Sequence, residues 1–104
     1  MKKTLALLAM VLLANAAGAS QALATRYACV ACHQADKKQI GPSWRDVAAR
    51  YADGSKTLVQ LAQSIKAGGA GTWGSLPMPS QPALASADAE ALAQWILGQG
   101  PAKP

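Results

Sequence analysis

The chain has 104 residues, ten Lys and Arg against five Asp and Glu, and a net charge of +5. That length holds one domain with a thin core. The positive excess is mild, with no basic block and no interleaving of cations and aromatics, so nothing in it points to nucleic acid.

The first segment, "MKKTLALLAMVLLANAAGASQALA", runs from Lys2 and Lys3 through an uncharged apolar stretch, Leu5 to Leu13, into small residues. That order is a secretory signal peptide, and the apolar run is too short for a membrane span. Cleavage after Ala19 is expected, with Ala24 as the alternative site. The mature domain is then residues 20–104, with Ser20 as a helix N-cap. Loss of Lys2 and Lys3 lowers the net charge to +3.

The mature chain reads as helical nearly throughout, with no alternation long enough for a strand. Residues 20–31 are expected to form a first helix, with Leu23, Ala24 and Tyr27 on one face. Gly41-Pro42 breaks the chain. Trp44, Val47, Ala48 and Tyr51 are spaced for a short amphipathic helix that ends at Asp53-Gly54. Thr57 is expected to cap a third helix, with Leu58, Leu61, Ala62 and Ile65 inward and Gly68-Gly69 at its end. "AGTWGSLPMPSQPALA" is too rich in Gly and Pro for helix or central strand. So long an irregular stretch in so small a domain usually serves function. Ser86 is expected to cap the last helix, with Asp88 and Glu90 near its positive end and Leu92, Trp95 and Ile96 on its apolar face. "GAGTWG" fits G-x-G-x-x-G, but a helix precedes it and Leu-Pro-Met-Pro follows, so the dinucleotide-binding context is missing.

Both cysteines and the one histidine stand together in "CVACH": Cys29, Cys32 and His33. C-x-x-C-H is the attachment signature of c-type haem. Residues at i and i+3 of a helical turn present both sulfurs to one side, where they can add to two vinyl groups on one porphyrin edge. His33 then reaches the iron from the same side. A thioredoxin-like dithiol would want a β-α-β setting, and a structural zinc site would want four N or S ligands. A disulfide across three residues would close too small a loop to stabilise much. Export into an oxidising compartment also calls for a use of the thiols. The other face of the iron needs a ligand, and His plus Met is the pairing of electron-carrying c-type centres. Met1 and Met10 lie in the signal segment, which leaves Met78, in the proline-stiffened "LPMPS". Lysine, the terminal amine or water are alternative sixth ligands.

On "CVACH", "GPSWRDVAARYA", "LAQSIKAGGAGTWGSLPMP" and "ADAEALAQWIL" the chain resembles the small class I c-type cytochromes, short soluble periplasmic monohaem electron carriers of bacteria. The resemblance covers nearly the whole mature chain. It implies an all-α class I fold of four to five short helices around one covalently attached haem c. It assigns Cys29 and Cys32 to the thioethers, His33 and Met78 to the axial positions, and the Pro42 carbonyl to the far nitrogen of His33. It gives the Trp73 indole to a haem propionate, and Leu76, Pro77 and Pro79 to shaping the Met78 loop. Trp95 and Leu92 should pack on Leu23 as ordinary core. Two positions depart from the pattern. Gln81 stands where relatives often have an asparagine that bonds the methionine sulfur. Ser64 stands where they often have a basic residue near the propionates.

The implied function is one-electron transfer between Fe(III) and Fe(II), without transformation of a substrate. Expected partners are a cytochrome bc complex as donor and a terminal oxidase, nitrite reductase or peroxidase as acceptor. No nucleic acid and no stable membrane insertion are expected, and the protein should be a monomer. Arg26, Lys37 and Lys38 lie close in sequence to the attachment motif and are candidates for steering an acidic partner. A haem-based module that binds or senses a small ligand is the alternative.

Overall fold

The computed structural model describes residues 20–100. Helix α1 covers residues 20–26. A single 3-10 turn follows at Cys29–Ala31, then α2 (Trp44–Arg50), α3 (Leu58–Ala67) and α4 (Ser86–Leu97). The one ladder contact among the described residues is an isolated antiparallel bridge between Gly69 and Met78. No helix among these residues is long and apolar enough to cross a membrane. The expected signal segment, residues 1–19, lies outside the described residues, as does the tail 101–104.

The first helix ends earlier than its sequence pattern suggests. Ser20 is itself helical rather than a flanking cap. At the other end the helix stops at Arg26, five residues before the expected end at Ala31, and Ala28 then takes a left-handed conformation (φ 59°). The tighter 3-10 turn that follows has about three residues per turn, which eclipses Cys29 and Cys32. The remaining helix ends follow local chemistry. Ser43 caps α2 by accepting from the Asp46 N–H (3.0 Å). Thr57 caps α3 in a reciprocal pair with Gln60. Gly68, at φ 66°, ends it. Helix α4 begins one residue away from the expected cap: Ala85 flanks it and Ser86 is its first residue. The Ser86 hydroxyl instead accepts from the Lys66 ammonium (3.4 Å).

The core is a single cluster in which α4 packs on α3 and α2. Ala89 and Ala93 of α4 are fully buried, and such small side chains let helix backbones approach closely. Leu92 and Leu84 are the largest fully enclosed apolar side chains. Each contributes about 1.5–3 kcal/mol through removal from water. Leu84 belongs to the loop before α4, and its N–H donates to the Gln81 carbonyl (3.1 Å). Trp44 and Trp95 meet edge to face at 5.6 Å between centroids. Leu23, Tyr27 and Trp95 pack against this cluster from its margin.

One polar latch joins the two ends of the domain. The Tyr27 hydroxyl donates to the Asp88 carboxylate across 61 residues of chain (2.9 Å). That bond, with desolvation and the charge of Asp88, raises Tyr27 above its ordinary value of about 10, against a smaller opposing effect of Arg26. A folded-state value above the unfolded one means the stabilisation is whole below pH about 10 and is lost as the pH rises through the folded value. Tyr27→Phe should therefore lower the thermal midpoint at neutral pH by a few degrees. The gap between variant and parent should close in alkaline solution. Thermal unfolding of both proteins across that range checks it, and a gap that stays constant with pH would remove the latch as its source.

Candidate cofactor site

Four tight local structures hold the residues expected to bind a cofactor, and two of these residues, Cys29 and Met78, pack against the same core cluster. The first is the turn that carries the cysteines. The N–H groups of Cys32 and His33 both donate to the Cys29 carbonyl (3.1 and 3.0 Å), so the whole motif is wound around one acceptor. Both thiols are free and half-buried. Burial pushes the Cys29 thiol up from its ordinary value, with a smaller opposing backbone hydrogen bond. A redox dithiol needs the reverse, a thiol held down by neighbouring positive charge. Among the described residues, no three His, Cys, Asp or Glu side chains converge to hold a bare metal ion.

The second structure fixes His33. Its Nδ1 lies 2.7 Å from the Pro42 carbonyl oxygen. A carbonyl only accepts, so Nδ1 carries the proton and Nε2 keeps its lone pair for a metal. The Gly41 N–H donates to the Cys32 carbonyl (2.8 Å), which folds the Gly-Pro turn back over the motif. Gly41 is in contact with the ring: a Cβ there would land 2.5 Å from His33 Cε1. Trp44, the first residue of α2, stacks on the imidazole at 4.7 Å with a 23° tilt. The N–H of Trp44 donates to the Gln34 carbonyl (2.9 Å), closing the same loop from the other end.

The third structure holds Met78. Gly69 and Met78 exchange both backbone hydrogen bonds (3.0 and 2.7 Å), and the Gln81 N–H donates to the Lys66 carbonyl (2.8 Å). The methionine loop is thus bound to the C-terminal end of α3, and Gln81 takes part through its backbone. Gly68 makes this approach possible, because a Cβ there would enter the Met78 carbonyl and the Pro79 backbone. Met78 is half-buried and packs against the core cluster, as does Cys29.

The fourth is Trp73, at the tip of the irregular loop. Its ring stands edge-on to Tyr51 at 6.4 Å. The Arg50 guanidinium lies 4.7 Å from the Trp73 centroid and donates to the Thr72 carbonyl (3.0 Å). Trp73 is 36% exposed, a large ring left open at the surface. Val30 (41%), Ile40 (57%) and Leu76 (69%) are more open still. These apolar groups stand beside the residues expected to hold the cofactor: Val30 between the cysteines, Ile40 before Gly41, and Leu76 before Pro77-Met78.

The donor set fits a covalently attached haem. There are two eclipsed thiols, an imidazole whose Nε2 keeps its lone pair, a thioether in a pinned loop, and exposed apolar side chains close to each in sequence. Arg26, Lys37 and Lys38 are exposed. The ion pair nearest to them in sequence, Arg45 with Asp36 (2.7 Å), is also open to solvent and adds little. The tryptophan stack on His33 was not foreseen from sequence, where Trp44 reads only as a core position of its helix. The grouping of Arg50 and Lys56 about Tyr51 and Trp73 was not foreseen either, because it joins α2, the following loop and the methionine loop.

Comparison with known proteins agrees with this donor set. The family profile described as Cytochrome c matches residues 16–99. The chain is 46% identical over 86 residues to cytochrome c-552 of Nitrosomonas europaea, covering 83% of this chain and 84% of that protein. To cytochrome c-552 of Hydrogenobacter thermophilus it is 47% identical over 97 residues, covering 93% and 97%. The crystal structure of the wild-type Nitrosomonas europaea cytochrome c552 superposes with a TM-score of 0.73 at 46% identity, covering 76% of this chain and 98% of that one.

Gly68 gives a direct test of the methionine loop. Its backbone (φ 66°, ψ −164°) lies in a region reserved for glycine. Gly68→Ala should cost about 1–3 kcal/mol from backbone strain alone, with more from displacement of Met78 and Pro79. Equilibrium denaturation should show the loss. A variant as stable as the parent would mean the loop tolerates displacement from α3.

Proposed function

The chain belongs to the cytochrome c family, and from that premise we propose that it is a periplasmic one-electron carrier in which His33 and Met78 are the axial ligands. Its family carries electrons on a covalently attached haem c, and so does this protein. The carrying observation is the pairing of His33 Nδ1 with the Pro42 carbonyl at 2.7 Å. It leaves Nε2 as the ligand atom and raises its basicity.

The group held there supplies an Fe(III)/Fe(II) couple. Cys29 and Cys32 would each hold it through a thioether bond, formed by addition of the thiol S–H across a vinyl group. Met78 would offer its thioether sulfur, a soft ligand that raises the potential relative to a second imidazole. Trp73, whose ring stands open at the surface, would donate its indole N–H to a propionate. Leu76, Pro77 and Pro79 would shape the wall around Met78. The pinned loop and the clamped imidazole keep both ligands still, which favours electron exchange over chemistry on a substrate.

Export through a cleaved signal peptide belongs to this proposal. The burial of Ala24, which is 0% exposed in the core, supports cleavage after Ala19 rather than after Ala24. Redox partners are expected to dock weakly and briefly. A cytochrome bc complex as donor and a terminal oxidase, nitrite reductase or peroxidase as acceptor are the partner classes proposed, with the carrier a monomer.

Visible absorption tests the ligand pair. The oxidised protein should show low-spin c-type bands with a weak sulfur-to-iron band, and the reduced protein should be indifferent to carbon monoxide. Met78→Ala should abolish the sulfur band and open the iron to carbon monoxide. A parent protein that binds carbon monoxide rapidly would move the assignment to a ligand-binding module.

The surface lysines give a separate test. Replacing Lys37 and Lys38 together by Gln should slow association with an acidic redox partner at low salt, by about threefold to tenfold, and the effect should vanish at high salt. An unchanged rate at low salt would remove these two residues from steering.

A further inference from the structure

The end of α2 and the loop after it carry a group of cations that the ligand assignments do not use. We infer that Lys56 and Arg50 form the cationic seat for the two carboxylates of the bound haem, with Ser64 as the positioning residue that holds Lys56 in place. This rests on the haem assignment above.

The geometry is specific. The Lys56 ammonium lies 2.9 Å from the Ser64 hydroxyl and 5.1 Å from the Tyr51 centroid. Ser64 donates its own proton to the Gln60 carbonyl one turn back (3.1 Å). Its lone pairs are thereby turned toward an incoming donor, so it accepts from Lys56. Arg50 lies 6.0 Å from the same Tyr51 ring and 4.7 Å from Trp73. The result is a row of two cations interleaved with two aromatic rings, ending at the Trp73 indole.

The row has no carboxylate of its own. Among the described residues the one ion pair is Arg45 with Asp36, on the side of the attachment motif. Asp53, close by in sequence, is turned back on the Ser55 N–H (2.9 Å). Lys56 is nonetheless half-buried. A hydroxyl and an aromatic face orient an ammonium without neutralising it.

Haem c brings two carboxylates, and its chemistry says where they go. The vinyl-derived thioethers occupy one edge of the macrocycle and the propionates the opposite edge. Cys29 and Cys32 fix the first edge. His33 stacks on Trp44 at the start of α2, whereas Arg50 and Tyr51 stand at its other end, about 9 Å further along the axis. The cations thus stand at the end of α2 remote from the attachment motif. Position 64 on α3 is a serine, and the loop brings the Lys56 charge to it.

A cation at the propionates opposes the extra positive charge of Fe(III), so it favours the reduced state. The test is the electron-exchange equilibrium of the holoprotein with a reference mediator. Lys56→Gln should shift it about threefold toward the oxidised protein, about 30 mV at 59 mV per tenfold for one electron. Lys37→Gln, a matched charge loss at the attachment side, should shift it less than half as much. Lys56→Arg should keep the parent value. Adding Ser64→Lys to Lys56→Gln should restore it, because the charge returns to the same place from α3. A shift for Lys56→Gln no larger than that for Lys37→Gln, or a double variant that fails to recover, would overturn the inference. Ser64→Ala, which frees the ammonium without removing it, should give a smaller shift of the same sign and serves if Lys56→Gln fails to fold. The visible spectrum separates the two levels. Normal c-type bands with an unmoved potential reject the cationic seat alone. A parent protein without those bands rejects the haem assignment and the seat with it.

Discussion

The imidazole of His33 is held by three different kinds of contact at once, and most of the domain is arranged around that. The Pro42 carbonyl fixes the proton on Nδ1. The Gly41 backbone lies against the ring where any side chain would collide with it. The Trp44 indole stacks on one face. A hydrogen bond sets the tautomer, a steric wall sets the position and a stacked ring sets the plane. No single contact would do all three, since a carbonyl alone leaves the ring free to rock about the hydrogen bond. Trp44 also meets Trp95 of α4 edge to face, so the histidine is joined through one aromatic pair to the hydrophobic core. The orientation of the imidazole and the packing of α2 on α4 are therefore one mechanical unit.

That coupling matters because the core is small. Among the described residues its buried side chains include five alanines, and its larger apolar volume comes from Trp44, Val47, Leu61, Ile65, Leu84, Leu92 and Ile96. A domain of this size is usually marginal without a crosslink or a bound group. Two thioether bonds, an iron–imidazole bond and an iron–sulfur bond would tie the attachment turn, the Gly-Pro loop and the methionine loop to one rigid plate. The exposed Val30, Ile40 and Leu76 side chains are intelligible on the same ground, as apolar groups close in sequence to the residues that would hold that plate.

Much of this was legible in the sequence because it is carried by short-range chemistry. The C-x-x-C-H spacing, the Gly-Pro turn, the Thr57 cap and the glycine after α3 are each decided within a few residues. The helix ends that differed were decided by contacts from further away or by backbone strain. Ser86 reads as a cap, but Lys66 of α3 reaches its hydroxyl and Ala85 flanks the helix instead. Ala28 has no sequence mark of a left-handed residue, because such a conformation in alanine is imposed by its surroundings rather than preferred. Leu84 sits in a Pro-rich loop without periodicity, so no pattern announces it as core. The Lys56–Ser64 pair was hidden for another reason. A departure at one position and a lysine eight residues earlier become related only when the loop folds back on α3.

The methionine loop shows how irregular backbone can be rigid. From Gly68 to Pro79 there is no helix, and the glycines at 68, 69, 71 and 74 all take positive φ. Such a run would be floppy if its backbone were not bonded to itself and to α3. Instead Gly69 and Met78 bond each other in both directions, Gly71 donates to the Gly74 carbonyl, and Gln81 is bound to the end of α3. The glycines permit turns that side chains would forbid, and the backbone hydrogen bonds then remove the freedom that glycine brings. Pro77 and Pro79, either side of Met78, lack N–H groups and have fixed φ, so they add stiffness without adding donors. A ligand on such a loop changes little when one electron arrives or leaves. A sensor would need the opposite, a methionine able to swing away when a small molecule competes for its place. The same backbone bonds that hold Met78 in place thus argue, under the proposed ligation, for a carrier over a switch.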